Sequence, residues 1–154
     1  MKYYSFFQIT TIVLCVVING CASKPLALIP TSSQVIGIAV IPQTDAAEKV
    51  LGRKEPLIIQ DAHRLETLFS VLEMNKDDAP ITSVDLVSHD FVVKWRIRNL
   101  ENMDRSQLYL RLNNPRMFIY ESDLGGTTKK YVIKVEADDA KTVWKAIGVT
   151  PPGL

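Results

Sequence analysis

The chain has 154 residues, with 18 Lys and Arg against 17 Asp and Glu, two His and two Cys. Its 47% hydrophobic and 23% charged content excludes a disordered or fibrous chain. Its net charge of +1 excludes a polybasic nucleic-acid binder, which needs concentrated Lys and Arg against phosphate. Two cysteines, at positions 15 and 21, are too few for a disulfide scaffold, and no apolar stretch suits a multi-span membrane protein.

The chain opens with Lys2 and then a mostly apolar run, Phe6 to Ile18, broken by Gln8, Thr10 and Thr11. That is the length of a signal-peptide core and short of the roughly 20 residues that span a bilayer. The run ends in Ile18-Asn19-Gly20-Cys21, followed by Ala22-Ser23-Lys24-Pro25. This resembles a bacterial lipoprotein signal peptide, with an aliphatic residue three places before the cysteine and a small residue directly before it. Asn19 stands where that pattern prefers a small or β-branched residue. The resemblance covers residues 1–21 alone and implies that 1–20 are removed and that Cys21 is acylated. Proteins of this type carry a diacylglycerol and an amide-linked acyl chain, and several chains anchor stably where one is marginal. Ala22 after the cysteine resembles signals that send a lipoprotein to the outer membrane of Gram-negative bacteria, facing the periplasm. The alternatives are an uncleaved N-terminal anchor and a secretory peptide with a coincidental cysteine.

Processing of that kind discards Cys15 and blocks Cys21 with lipid. Residues 22–154 then offer no thiol for a nucleophile, a metal site or a disulfide. Loss of Lys2 leaves 17 residues of each sign, so steering by whole-molecule charge is not expected.

Residues 21–33 read as the lipidated cysteine and an extended, Pro- and Ser-containing tether, and 34–154 as a single globular domain. Gln34–Ile41 predicts a buried strand stopped by Pro42, Asp45–Leu51 a helical turn ended by Gly52, and Leu57–Ile59 a short strand. Asp61 offers an N-cap, and Leu65, Leu68, Phe69 and Leu72 recur at helical spacing, so 62–74 is an amphipathic helix, followed by a polar turn over 75–80. From Ile81 the period falls to two. Phe91, Val93, Trp95 and Ile97 alternate with Val92, Lys94, Arg96 and Arg98; Leu108, Leu110 and Leu112 alternate with Tyr109 and Arg111. Asn113-Asn114-Pro115 marks a turn, Met117–Tyr120 a strand, Asp123–Gly126 a hairpin and Lys130–Val135 the last strand. Asp138 and Asp139 open a second helix with Ala140, Val143, Trp144 and Ile147 on one face, closed by Gly148 and Pro151-Pro152. The fold class is α+β: an antiparallel sheet of about four to six strands with two amphipathic helices packed on one face.

Chemistry-bearing patterns are sparse. His63 and His89 are the only histidines, and with nearby Asp61 and Asp90 a metal site can be drawn, but no close ligand spacing supports it. Asp77-Asp78 suits a turn and Asp138-Asp139 a helix start. No nucleophile motif or phosphate-binding glycine loop occurs, and neither metal nor cofactor is expected. Trp95 and Trp144 fall on apolar faces and read as core, with an aromatic recognition platform as the lesser alternative. The candidate binding face is the basic row Lys94, Arg96, Arg98 with Arg111, interleaved by Tyr109 and Tyr120 if register allows. The same alternation is what the wetted face of a two-sided sheet looks like. Three functions are compatible with this pattern. The first is a non-catalytic outer-membrane lipoprotein, held in the membrane by the lipid on Cys21, whose domain binds a protein or an anionic envelope component. The second is a periplasmic immunity or inhibitor protein against a toxin or hydrolase. The third is an enzyme of unrecognised type, for which substitution of His63 or His89 is expected to abolish an activity without unfolding the domain.

Overall fold

A computed structural model describes residues 29–76, 88–97, 106–124 and 127–154. The signal segment, Cys21, most of the tether, Asp77-Asp78, the run from Ile81, Arg98 and Gly125-Gly126 lie outside the described residues.

Six strands and three helices follow in the order β1 (Val35–Pro42), α1 (Asp45–Leu51), β2 (Leu57–Ile59), α2 (Ala62–Asn75), β3 (Phe91–Ile97), β4 (Gln107–Leu110), β5 (Met117–Leu124), β6 (Thr127–Lys134) and α3 (Ala137–Ala146). The strands form one sheet in the order β2-β1-β3-β4-β5-β6, antiparallel at every pairing. The α+β architecture expected from the period change is therefore present, with a third, short helix. No described helix is long and apolar enough to cross a membrane.

Register sorts the side chains into rows. On the helix side, Val40, Val93, Leu108, Tyr120 and Tyr131 stand opposite one another across five strands, and Phe91, Leu110, Phe118 and Ile133 form the next row. Leu65, Leu68, Phe69, Val71 and Leu72 of α2 and Ala140, Val143 and Trp144 of α3 bury against these rows in one continuous core. Both tryptophans belong to it. Trp95 stacks on Tyr120 with centroids 5.6 Å apart and meets Phe69 edge-on, also at 5.6 Å. Trp144 meets Phe91 and Phe118 edge-on, and its indole N–H donates to the Pro115 carbonyl at 2.8 Å. A buried indole satisfied in this way adds apolar burial without an orphaned donor.

Local chemistry fixes the helix ends. Thr44 Oγ1 accepts the Ala47 N–H at 3.2 Å to start α1, and Gly52 ends it at φ 73°, its N–H donating to the Glu48 carbonyl. Asp61 accepts the Arg64 N–H at 2.8 Å to start α2. Helix α3 starts differently from expectation. Its N-cap is Glu136, which makes no side-chain cap bond. Asp138 and Asp139 stand inside the first turn, where they favour the helix through its dipole; Asp138 also pairs with Lys141 at 3.3 Å, and Asp139 accepts from Asn75 Nδ2 at 3.1 Å. At the other end Gly148, at φ 76°, donates to Lys145 O while Val149 donates to Trp144 O, and Arg64 Nε donates to Ala146 O at 2.9 Å. Arg64 of α2 thus satisfies a carbonyl at the C-terminus of α3 and locks the two helices together.

The packed unit begins before β1. Ile29, within the segment that reads as tether, is 2% exposed and part of the main core, and Pro30 is buried beside it. The turn at Thr31–Gln34, closed by Gln34 N–H to Thr31 O at 2.9 Å, then feeds the strand.

Candidate binding face

The face of the sheet turned away from α2 and α3, free of helix among the described residues, also has rows. Ala39, Lys94, Gln107, Glu121 and Lys130 stand opposite one another from β1 to β6, and beside them run Ile41, Val92, Tyr109, Ile119 and Val132. The second row is apolar. Val92, Tyr109 and Ile119 form a small cluster of their own, separate from the main core, and are 5%, 9% and 3% exposed.

Lys94 and Arg96 project from β3 onto this face and are exposed. Neither makes an ion pair with another described residue. Arg96 stands opposite Gly37, so no neighbouring side chain on β1 shields it. Arg111 follows β4 and is half-buried. It shares the face but not the row: Gln107 pairs with Lys94, and Arg111 lies four residues farther along, about 13 Å at strand rise. The apolar row runs between them. Arg98 lies outside the described residues. Of the two tyrosines expected to interleave, Tyr109 does, standing between Val92 and Ile119. Tyr120 does not: it faces Leu108 and stacks on Trp95 in the core, because adjacent strand residues point to opposite faces.

The two acids of this face with described side chains, Glu121 and Asp90, are committed to neighbours. Glu121 Oε1 accepts from Gln107 Nε2 at 2.9 Å, and its Oε2 lies 3.5 Å from Lys130 Nζ. The Tyr109 hydroxyl accepts from Gln107 and is hydrogen bonded to Glu121. Burial, the Glu121 charge and that bond push the Tyr109 phenol up to about 12. Asp90, just before β3, accepts from Thr44 Oγ1 at 2.8 Å and from the Leu112 N–H at 2.7 Å. Among the described side chains of this face, the exposed charges are cationic: Lys94 and Arg96 on β3, Lys134 on β6. In a domain with 17 residues of each sign, this is a local segregation of charge among the described side chains.

The two histidines fall on opposite sides of the sheet. His63 is exposed in the first turn of α2, and His89 lies at the rim of the helix-free face with its ring on Tyr109. Among the described residues no group of three or more His, Cys, Asp or Glu is placed to hold a metal ion. Sequence reasoning missed the apolar row and the Asp90 anchor. The alternation already put Val92 on the face of Lys94 and Tyr109 on the face of Arg111; what it lacked was the cross-strand register that sets the two beside Ile119.

In comparisons with known protein families, with curated proteins and with solved structures, nothing matches the chain.

Proposed function

We propose that this protein is a lipoprotein of the bacterial envelope, anchored at the outer membrane through Cys21, whose periplasmic domain binds an anionic partner on the helix-free face of its sheet. It acts by binding and not by catalysis. The observation that carries this reading is the charge segregation on that face. Lys94, Arg96 and Lys134 are exposed there, while Glu121 and Asp90 are held in internal contacts. Exposed cations flanking a row that is already buried suit a partner that offers carboxylates or phosphates. Charged side chains also keep a sheet from pairing with other sheets edge to edge. That need arises at the edge strands β2 and β6, where Lys134 lies, and does not explain Lys94 and Arg96 on the interior strand β3.

The test is site-specific photo-crosslinking in cells, with the crosslinker at Lys94 or, as control, at Ser70, an exposed position on α2. A discrete adduct from position 94 that is absent from position 70 is the expected result. Adducts identical at the two positions, or none at 94, would refute the assignment of the face.

A further inference from the structure

His89 occupies an unusual setting at the rim of the helix-free face. Ser88 before it has φ 55°, the left-handed region, and is the one such non-glycine among the described residues. The turn brings the His89 ring onto Tyr109, with centroids 4.6 Å apart and planes at 58°. Asp90 after it is pinned on four sides. Its N–H donates to Leu110 O, its carbonyl accepts from Gln43 N, and its carboxylate accepts from Thr44 and from the Leu112 N–H. The backbone is thus held at Asp90, directly after His89.

The Nδ1 of His89 is enclosed and has no hydrogen-bond partner among the described residues. In a neutral ring this is an unused acceptor. In a cationic ring it becomes a buried donor facing nothing, which is the costlier arrangement. The neighbouring charges do not rescue it. Both carboxylate oxygens of Asp90 are engaged, and Glu121 is tied to Gln107, Tyr109 and Lys130. Arg111 opposes a second positive charge. Burial first, then Arg111, hold the imidazole below its ordinary 6.5, against smaller pulls upward from Asp90 and Glu121.

We propose that His89 is an acid-released cover over Tyr109: a proton taken from solvent onto Nδ1 drives the ring out of its enclosure and uncovers the middle of the apolar row on the helix-free face. The same step adds a cation to that face. If the face is the binding surface, acid strengthens its hold on an anionic partner, and only this consequence rests on the function proposed above.

The test is an NMR titration of the full chain in detergent, labelled at His and Tyr, from about pH 8 to about pH 4 across the histidine range. The expected result is a His89 midpoint below 6.5. At that same midpoint the His89 ring leaves Tyr109, and the Tyr109 ring signals shift. In His89→Phe, which keeps an aromatic cover and cannot take a proton, the Tyr109 signals stay in place. The Trp144 indole N–H, bonded in the core to Pro115, reports the fold and persists through the step. The proposal is overturned if the two rings stay together through the His89 titration, if Tyr109 shifts equally in His89→Phe, or if the Trp144 signal disappears with the same midpoint. No partner enters this experiment, so its failure and the failure of the binding-face reading are separately visible.

Discussion

Arg64 and Gly148 make the joint between α2 and α3, and their mutual dependence can be measured. A Cβ added at Gly148 would lie 2.9 Å from Arg64 Nη2 and 3.1 Å from Leu57 Cδ2, at a backbone φ of 76°. Gly148→Ala therefore costs about 1–2 kcal/mol for the left-handed backbone. It costs about 1 kcal/mol more because the guanidinium must shift and weaken its charged bond to the Ala146 carbonyl. Arg64→Ala removes that bond, 2.9 Å long, and a cation from a helix C-terminus. Because Arg64 is half-buried, the loss is about 1.5–2 kcal/mol, low in the range for charged bonds. In the Arg64→Ala background the alanine at 148 meets only Leu57, and the extra 1 kcal/mol vanishes. The double variant is thus expected to lose about 1 kcal/mol less than the two single losses added together, a coupling well above the additivity error of about 0.3–0.5 kcal/mol. Urea unfolding of the four proteins, with a common slope, reads the cycle. Additive losses would refute the joint and place Arg64 away from the end of α3.

Other outcomes follow from the same contacts. For His89 the folded value lies below 6.5, so between the two the unfolded chain binds more protons. Stability from this group is complete above 6.5 and is lost as pH falls through that window. The stability-against-pH slope there is steeper in the native chain than in His89→Phe, by at most about 1.4 kcal/mol per pH unit; equal slopes would contradict the shift. In a spectrophotometric titration the Tyr109 phenol ionises at about 12, and Glu121→Gln moves it back toward 10; an unmoved phenol would remove Glu121 as a cause. Trp144→Phe keeps a ring against Phe91 and Phe118 but leaves the Pro115 carbonyl without its donor, at a cost of about 1–3 kcal/mol in urea unfolding. Cys21→Ser abolishes acyl-chain labelling and lipoprotein-type processing; label that persists would remove the anchor.

Much of the fold was legible because each element depends on near neighbours. The spacing of Leu65, Leu68, Phe69 and Leu72 describes one helix face, and the alternation of Phe91, Val93 and Trp95 one strand face, whatever the rest of the chain does. Strand order was not legible. Insertion of β1 between β2 and β3 rests on pairs such as Val40 with Val93, more than fifty residues apart, which no local pattern encodes. The lengths of β5 and β6 were underestimated, since the ladder runs on past Tyr120 through the polar pairs Glu121–Lys130 and Ser122–Lys129. Conversely β4 stops at Leu110, short of Leu112, whose N–H goes to the Asp90 carboxylate instead of to a neighbouring strand. Ile29 was hidden because two prolines and a Thr-Ser-Ser cluster give its segment a linker composition, while one isoleucine is enough to plug a core. On the candidate face, strand alternation placed Lys94 and Arg96 together. It could not separate Tyr109 from Tyr120, because the two lie on different strands and their faces depend on register.

The central claim is that an anionic partner is held by the cations of the helix-free face. Capture of the tagged protein from crosslinked envelopes, followed by mass spectrometry, tests it most directly when the native chain is compared with Lys94→Glu/Arg96→Glu. Both residues are exposed, so the reversal is expected to leave urea stability within about 0.5 kcal/mol of the native value. The account predicts one stoichiometric partner captured by the native chain and absent from the folded reversed variant. The same partner recovered equally by both proteins would contradict it.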